Sequence, residues 1–171
     1  MNKLTLLGAG ALFAALPLVA AAQVSTNVVA VEGDWSVFAG DNPKECWAVS
    51  QPTQTVNTRD GKPTEVQRGD IRLYVAYRPG SGAEVSFGGG YPFAADSAVE
   101  ANVGGQTFKM FTEGENAWTG SAAEDAKLLS AMRAGSTMVL TGRSSRGTVT
   151  KDTFSLKGIT AASKRAESQC K

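Results

Sequence analysis

The chain has 171 residues, with 17 Lys and Arg against 16 Asp and Glu and no His, so its formal net charge is +1. A chain without a basic excess lacks what a general nucleic-acid binder uses to displace counterions. Without His, the commonest general base and the commonest metal ligand are both missing. We therefore predict no nucleic-acid partner, no catalytic residues, no metal or other cofactor, and no enzymatic activity.

The first residues have the order of a secretory signal peptide. Lys3 is the only charge before Glu32, residues 4–15 form an apolar run, and Pro17 precedes the three alanines at 20–22. A positive start, a short apolar core and an A-x-A site are typical of a cleavable signal. The alternative is a membrane anchor, but the run is shorter than the roughly 20 residues that span a bilayer as a helix.

Cleavage is predicted after Ala22, so 1–22 is the signal peptide and 23–171 is one exported domain, periplasmic or secreted, with no transmembrane segment. Loss of Lys3 leaves 16 basic and 16 acidic residues. Cys46 and Cys170 are the only cysteines, and an even count in an oxidising compartment indicates a disulfide. Closing so long a loop would stabilise the fold by about 4–5 kcal/mol on the chain-entropy model. The alternative is two free thiols.

Along the exported part, apolar alternation and turn residues predict eight strands and two helices. The clearest strand places Ile71, Leu73, Val75 and Tyr77 on one face. Gly104-Gly105 and Asp60-Gly61 are typical hairpin turns. The predicted strands are 33–37, 46–50, 71–77, 84–87, 99–103, 106–111, 137–141 and 148–156, and the predicted second helix is 160–166.

The first helix is the best signalled one. Ser121 and Glu124 fit a capping box, and Gly135 is predicted to end the helix in a left-handed conformation. The predicted apolar stripe consists of Ala122, Ala126, Leu129 and Met132. Because strands and helices do not alternate regularly, we predict a mostly β fold: an antiparallel sandwich or barrel-like domain, with this helix covering an edge or end and a short C-terminal helix.

Charge is uneven along the exported part. Residues 23–132 carry a net charge of −6 and residues 133–171 a net charge of +6. The simpler interpretation is attraction between two halves of one domain. The functional interpretation is a basic patch that meets an anionic envelope component, with Arg143, Arg146 and Lys151 as the candidate contacts.

Few side chains suggest a catalytic or inhibitory role. Glu113 and Glu115 beside Trp118 could form the acid pair of a polysaccharide hydrolase, although carboxylates in a Gly-containing loop are usually solvated. The loop 143–146 could also project as an inhibitor of a periplasmic or host enzyme. Among the aromatic residues, core positions are predicted for Trp35, Trp47, Trp118 and Tyr91, with contact anchors as the alternative for the last two.

The chain resembles the invasion-associated locus B family of alphaproteobacterial exported proteins. The resemblance rests on residues 33–37 (GDWSV), 44–50 (KECWAVS), 142–148 (GRSSRGT), 152–162 (DTFSLKGITAA) and the final Cys170. Many members carry a Cys after the first Trp strand, where this chain has Phe38 and Ala39. The resemblance implies a bridge between Cys46 and Cys170 and no catalytic residues. It therefore favours an exported binding protein, with a role in envelope integrity or surface interaction.

Overall fold

The computed structural model describes residues 27–171, so the predicted signal peptide lies outside the described residues. Within this range twelve strands form one antiparallel sheet in the order β1-β2-β3-β6-β7-β10-β9-β8-β11-β12-β4-β5. The elements are β1 (Val28–Glu32), β2 (Trp35–Asp41), β3 (Lys44–Ser50), β4 (Gln54–Arg59), β5 (Lys62–Pro63), β6 (Arg72–Tyr77), β7 (Glu84–Gly88), β8 (Ala98–Val103), β9 (Gln106–Glu113), β10 (Asn116–Trp118), α1 (Ala122–Ala134), β11 (Thr137–Arg143), β12 (Val149–Ser155) and α2 (Ile159–Gln169).

The sheet folds over on itself, so that strands far apart in its order meet. The indole Nε1 of Trp35 in β2 donates a hydrogen bond to the carbonyl of Ser155 in β12 at 3.1 Å. The backbone N–H of Asp34 donates to the carbonyl of Lys157 at 3.0 Å. These contacts enclose one core between the two halves of the sheet, and the predicted antiparallel β-sandwich is confirmed. Neither helix in residues 27–171 is long and apolar enough to cross a membrane.

Alternation along each strand decides which side chains enter the core. Trp35 and Val37 in β2 are fully buried, as are Leu73 and Val75 in β6. Successive strand residues point to opposite faces, so their neighbours in sequence lie on the outer face. The burial of one face of each strand is the main apolar contribution to the stability of the sandwich.

Helix α1 begins where predicted but buries a different face. The Ser121 hydroxyl accepts a hydrogen bond from the Glu124 N–H at 3.3 Å. The Asp125 carboxylate accepts a hydrogen bond from the Val85 N–H at 2.8 Å and so fixes the helix against β7. The predicted stripe is therefore wrong in its first two members. The buried residues are Asp125, Leu128, Leu129 and Met132.

The predicted left-handed end of α1 is also wrong. Gly135 has a φ of −91°, which any residue can adopt. Glycine is needed there for space, because a Cβ atom would lie 2.6 Å from a methyl carbon of Val103. The close approach of the helix end to β8 excludes a side chain.

The polar stretch before residue 62 holds a strand that the sequence pattern did not predict. The Asp60-Gly61 turn does join β4 to β5, and both residues have positive φ. The strand β4 pairs with β12. It lacks apolar alternation because the part of the interior that it covers is polar. Helix α2 is longer than the predicted 160–166.

The predicted disulfide between Cys46 and Cys170 is confirmed. The two Cα atoms are 5.9 Å apart, and the bond joins β3 to the end of α2. Both cysteines are buried. The bond therefore fixes the C-terminal helix beneath β1, β2, β3 and β6, the strands that α2 contacts.

Candidate functional site

Aromatic side chains gather on the outer face of the sheet. Phe38 in β2 lies opposite Trp47 in β3, and Val49, two residues further along β3, lies opposite Tyr74 in β6. All four side chains are only half-buried. Cross-strand neighbours on one face are in contact distance, so these residues form one apolar surface.

The same surface continues across the sheet. Tyr74 lies opposite Ser86 in β7, and Ser86 lies opposite Trp118 in β10. Trp118 stacks on Phe111 in β9, with ring centroids 5.7 Å apart, and Phe111 is 51% exposed. We call the set Phe38, Trp47, Tyr74, Phe111 and Trp118 the aromatic face. It crosses six neighbouring strands, or about 24 Å at the usual strand spacing.

A groove of about 750 Å³ runs along the part of this face formed by β2, β3 and β6. Its polar lining includes Asp34, Gln51 and Arg72. Burial raises the pKa of Tyr74, and the charge of Arg72 opposes that rise. The groove therefore offers an apolar floor with polar groups at its border, and Tyr74 is neutral at physiological pH.

The positions of the aromatic residues correct part of the sequence prediction. Trp35 and Tyr91 are buried, as predicted. The core prediction is wrong for Trp47 and Trp118, which are half-exposed on the aromatic face. Strand alternation alone could not decide the side of Trp47, because both of its flanking residues, Cys46 and Ala48, are also apolar. The structure buries that pair instead.

A second concave surface lies at one end of the sandwich. It is a cleft of about 540 Å³, and its walls come from the connections between β5 and β6, β7 and β8, β9 and β10, and β11 and β12. Strand β6 runs from Arg72, near this cleft, to Tyr77, opposite the disulfide-bonded Cys46. The cleft, which we call the polar cleft, is therefore at the end of β6 away from the disulfide.

The floor of the polar cleft is a buried ion pair. The guanidinium of Arg68 donates to both carboxylate oxygens of Asp152 at 2.7 and 2.8 Å, and to the carbonyl of Gly89 at 2.7 and 3.0 Å. The side chains are 6% and 0% exposed. Thr55 donates a further hydrogen bond to Asp152 at 2.9 Å. With its charges paired and its hydrogen bonds made, this pair can stay buried, and it leaves no net charge for a ligand.

Tyr91 packs against this ion pair. The Arg68 guanidinium carbon lies 4.9 Å from the Tyr91 ring centroid, a cation–π contact. The Tyr91 hydroxyl and the Thr150 hydroxyl are 2.6 Å apart. Burial raises the pKa of Tyr91, and the hydrogen bond with Thr150 and the charge of Arg68 oppose that rise. The ring is thus fixed as part of the cleft wall.

The candidate anion contacts from the sequence lie in two different settings. Arg146 borders the polar cleft, whereas Arg143 and Lys151 do not line it. Arg143 lies opposite Val149, and Lys151 is exposed on the outer face of β12. Arg146 sits in the loop between β11 and β12, whereas Arg143 and Lys151 occupy outward positions of those two strands.

The two glutamates considered for hydrolysis border different concave surfaces. Glu115 borders the polar cleft, whereas Glu113 lies beside Phe111 and Trp118. Both are exposed, so neither has the partly buried carboxyl that the hydrolase hypothesis needs. Within residues 27–171, His, Cys, Asp and Glu side chains form no group of three or more able to hold a metal ion.

The sequence pattern did not mark Arg68 and Asp152 as site residues. The available signal was the position of Asp152, two residues from Thr150 and two from Phe154 on the inward face of a strand. A charge at an inward position needs a buried partner. Arg68 could not be identified as that partner, because it lies 84 residues away in a loop without regular spacing.

Comparison with known proteins identifies a family and a solved structure of similar fold. The family model described as Invasion associated locus B (IalB) protein matches residues 35–167. The crystal structure of invasion associated protein b from Bartonella henselae matches with a TM-score of 0.58 at 16% identity, covering 81% of this chain and 95% of that chain. At this identity the likeness shows the fold. No curated protein sequence matches the chain.

Proposed function

The chain belongs to the invasion associated locus B (IalB) family, and from that premise we propose that it is an exported, non-enzymatic binding protein whose partner is a protein of the cell envelope or cell surface. Export is supported by the signal-like N-terminus and by the disulfide between Cys46 and Cys170. Both features suit the periplasm or the medium outside the cell.

One observation carries the proposal: five aromatic side chains share an outer sheet face where polar residues are expected. Antiparallel sheets usually bury one face and expose a polar one. Here Phe38, Trp47, Tyr74, Phe111 and Trp118 lie on that outer face in five of six neighbouring strands, with Ser86 of β7 between Tyr74 and Trp118. Clusters of aromatic side chains on the outer face of a soluble domain are typical of interaction sites.

The composition of the face fits a protein partner. Trp, Tyr and Arg are enriched among the residues that dominate binding energy in protein interfaces, and Trp47, Tyr74 and Arg72 meet in one groove. The border of the groove is polar, with Asp34 and Gln51. An apolar centre with a polar rim is the usual arrangement of such interfaces.

The proposal is tested by site-specific photo-crosslinking in the cell envelope. A crosslinking amino acid replaces Ser36, which lines the groove, and in a control chain it replaces Thr141 on the outer face of β11. We expect the Ser36 chain to capture a defined protein that the Thr141 chain does not. Capture should disappear in the variant Trp47→Ser with Tyr74→Ser.

A matched control variant tests whether the loss of any exposed apolar side chain would reduce capture. Val56 is 42% exposed and lies outside the aromatic face, so Val56→Ser should leave capture unchanged. Equal capture from Ser36 and Thr141, or loss of capture in Val56→Ser as well, would contradict a specific role for the aromatic face.

A further inference from the structure

The polar cleft is a second concave surface with a charge pattern of its own. Four charged side chains border it besides the buried Arg68: Arg59, Arg146, Glu65 and Glu115. All four are exposed at the mouth of the cleft. They come from four separate connections and hairpin ends, so the pattern exists only in the folded chain.

These four charged groups do not form ion pairs with one another. Among the described residues, none of the four has an oppositely charged group within 4.0 Å. Arg59 is held by a hydrogen bond that its guanidinium donates to the Thr148 hydroxyl at 2.8 Å. Two guanidinium groups and two carboxylates therefore face the same cleft without an internal ion pair.

The loop that carries Arg146 is fixed rather than free. The Thr148 N–H donates to the Ser144 hydroxyl at 3.1 Å, and the Ser144 N–H donates to the Thr148 carbonyl at 2.8 Å. The Ser145 N–H donates to the carbonyl of Pro92 on the opposite wall at 2.9 Å. Together with the Arg68–Asp152 floor, these bonds shape the cleft without a ligand.

The sign of the charges decides which ligand the cleft fits. A purely anionic ligand is attracted by Arg59 and Arg146 and repelled by Glu65 and Glu115, and a purely cationic ligand meets the reverse. A ligand with both signs can place each charge next to its opposite. We propose that the polar cleft binds a small dipolar ligand, one that carries a phosphate or carboxylate and an ammonium group.

In this arrangement the anionic group of the ligand lies at Arg59 and Arg146, where guanidinium groups bind phosphate or carboxylate in a planar fork. The ammonium group lies at Glu65 and Glu115. The site is independent of the aromatic face, so it adds a second ligand to the proposed function.

The test compares three small probes on the full chain, expressed with its own N-terminal segment and titrated by NMR. O-phosphoethanolamine carries both charges, inorganic phosphate only the anion, and ethanolamine only the cation. We expect O-phosphoethanolamine to bind about tenfold tighter than either single-charge probe, because it gains both sets of rim interactions. Phosphate binding as tightly as O-phosphoethanolamine would overturn the proposal.

Charge-removing variants at the rim should change the affinities for the probes in opposite directions. Arg146→Gln should weaken O-phosphoethanolamine by about threefold, the effect of one exposed charge. Glu115→Gln should weaken O-phosphoethanolamine to a similar extent but strengthen inorganic phosphate, because a repelling charge is gone. An unfolded or loosened variant cannot bind phosphate more tightly, so this gain separates charge recognition from damage to the fold.

The control is Lys151→Gln, which removes an exposed charge that does not line the cleft and should leave the binding of all three probes unchanged. Vesicles of phosphatidylglycerol with and without phosphatidylethanolamine distinguish the sources of the ligand. Binding only to vesicles with phosphatidylethanolamine assigns a lipid head group, whereas binding of the soluble probe without vesicle binding assigns a free dipolar molecule.

The variant Trp47→Ser with Tyr74→Ser should bind the probes normally, which separates this inference from the proposed function.

Discussion

The aromatic face and the polar cleft are built in opposite ways. The face arises from strand alternation, because residues such as Phe38 and Trp47 become neighbours through regular pairing in the sheet. The cleft arises from loops, and its floor joins Arg68 to Asp152 across 84 residues of sequence. A face of this kind can be recognised from spacing once the outer side is known, whereas a cleft of loops requires the whole tertiary structure.

The two surfaces also rest on different supports. Beneath the aromatic face, the bond between Cys46 and Cys170 holds α2 against the inner side of β2, β3 and β6. Beneath the cleft, the buried pair of Arg68 and Asp152 links the loop before β6 to β12. Each support can be removed separately by mutation. The resulting losses of stability and of binding should differ between the two surfaces.

The largest effect is expected from removal of the disulfide. Cys46→Ser with Cys170→Ser should lower the free energy of unfolding by up to about 4–5 kcal/mol, because the unfolded chain regains the freedom of a long closed loop. Urea unfolding of the oxidised wild type and of the variant measures the difference. An unchanged midpoint would show that the bond does not support the fold.

The buried ion pair should come next. Arg68→Met leaves the buried Asp152 carboxylate without its charge partner and should cost about 3–5 kcal/mol. Arg68→Met combined with Asp152→Leu removes both charges and should recover most of that loss. Urea unfolding measures both variants. The O-phosphoethanolamine titration should change, while crosslinking at the aromatic face should persist wherever the variant is folded. If the double variant were no more stable than the single one, the floor would not behave as an isolated pair.

A smaller effect on stability is expected from the aromatic face. Trp47→Ser changes an outward, half-exposed side chain and should alter the free energy of unfolding by only about 1 kcal/mol, while it abolishes partner capture. The inward Trp35→Ser is the matched contrast, since it empties a fully buried position and should cost about 3–5 kcal/mol, the range for large core aromatics. Similar losses for both tryptophans would remove the distinction between inner and outer faces.

The smallest effect concerns alkaline pH. Burial raises the pKa of Tyr91 in the cleft and of Tyr74 on the face. Both stay neutral in the folded protein after the unfolded chain begins to ionise at about pH 10. Their contribution to stability is therefore complete below about pH 10 and is lost as pH rises through the folded pKa values.

Tyr91→Phe should remove part of that loss of stability, and it should cost about 1 kcal/mol at neutral pH because the hydrogen bond with Thr150 disappears. Absorbance of tyrosinate against pH, together with urea unfolding at pH 8 and pH 10.5, measures both effects. Tyr74→Phe is the matched control on the aromatic face. Among the described residues, the Tyr74 hydroxyl has no hydrogen bond like the one between Tyr91 and Thr150. An identical pH profile for wild type and Tyr91→Phe would contradict the assignment.

Much of the fold was accessible from the sequence because it depends on local patterns. Alternation located eight of the twelve strands and missed β1, β4, β5 and β10. Ser121 located the start of α1, and the only two cysteines could pair in one way. The stripe on α1 was wrong because Asp125 binds the backbone of β7, a contact between distant segments. The strand β4 was missed because its partners are polar, so no apolar period marks it.

The amino-acid sequence by itself determined the β class, the disulfide pair and membership in the family, since each depends on residue types and their order. Only the tertiary structure decided that Trp47 lies outside, that Arg146 borders the polar cleft while Arg143 and Lys151 do not, and that Arg68 meets Asp152. The physical reason is that alternation divides a strand into two faces without showing which face is buried, and that loops have no periodic sequence pattern. Both are decided by burial against the rest of the chain.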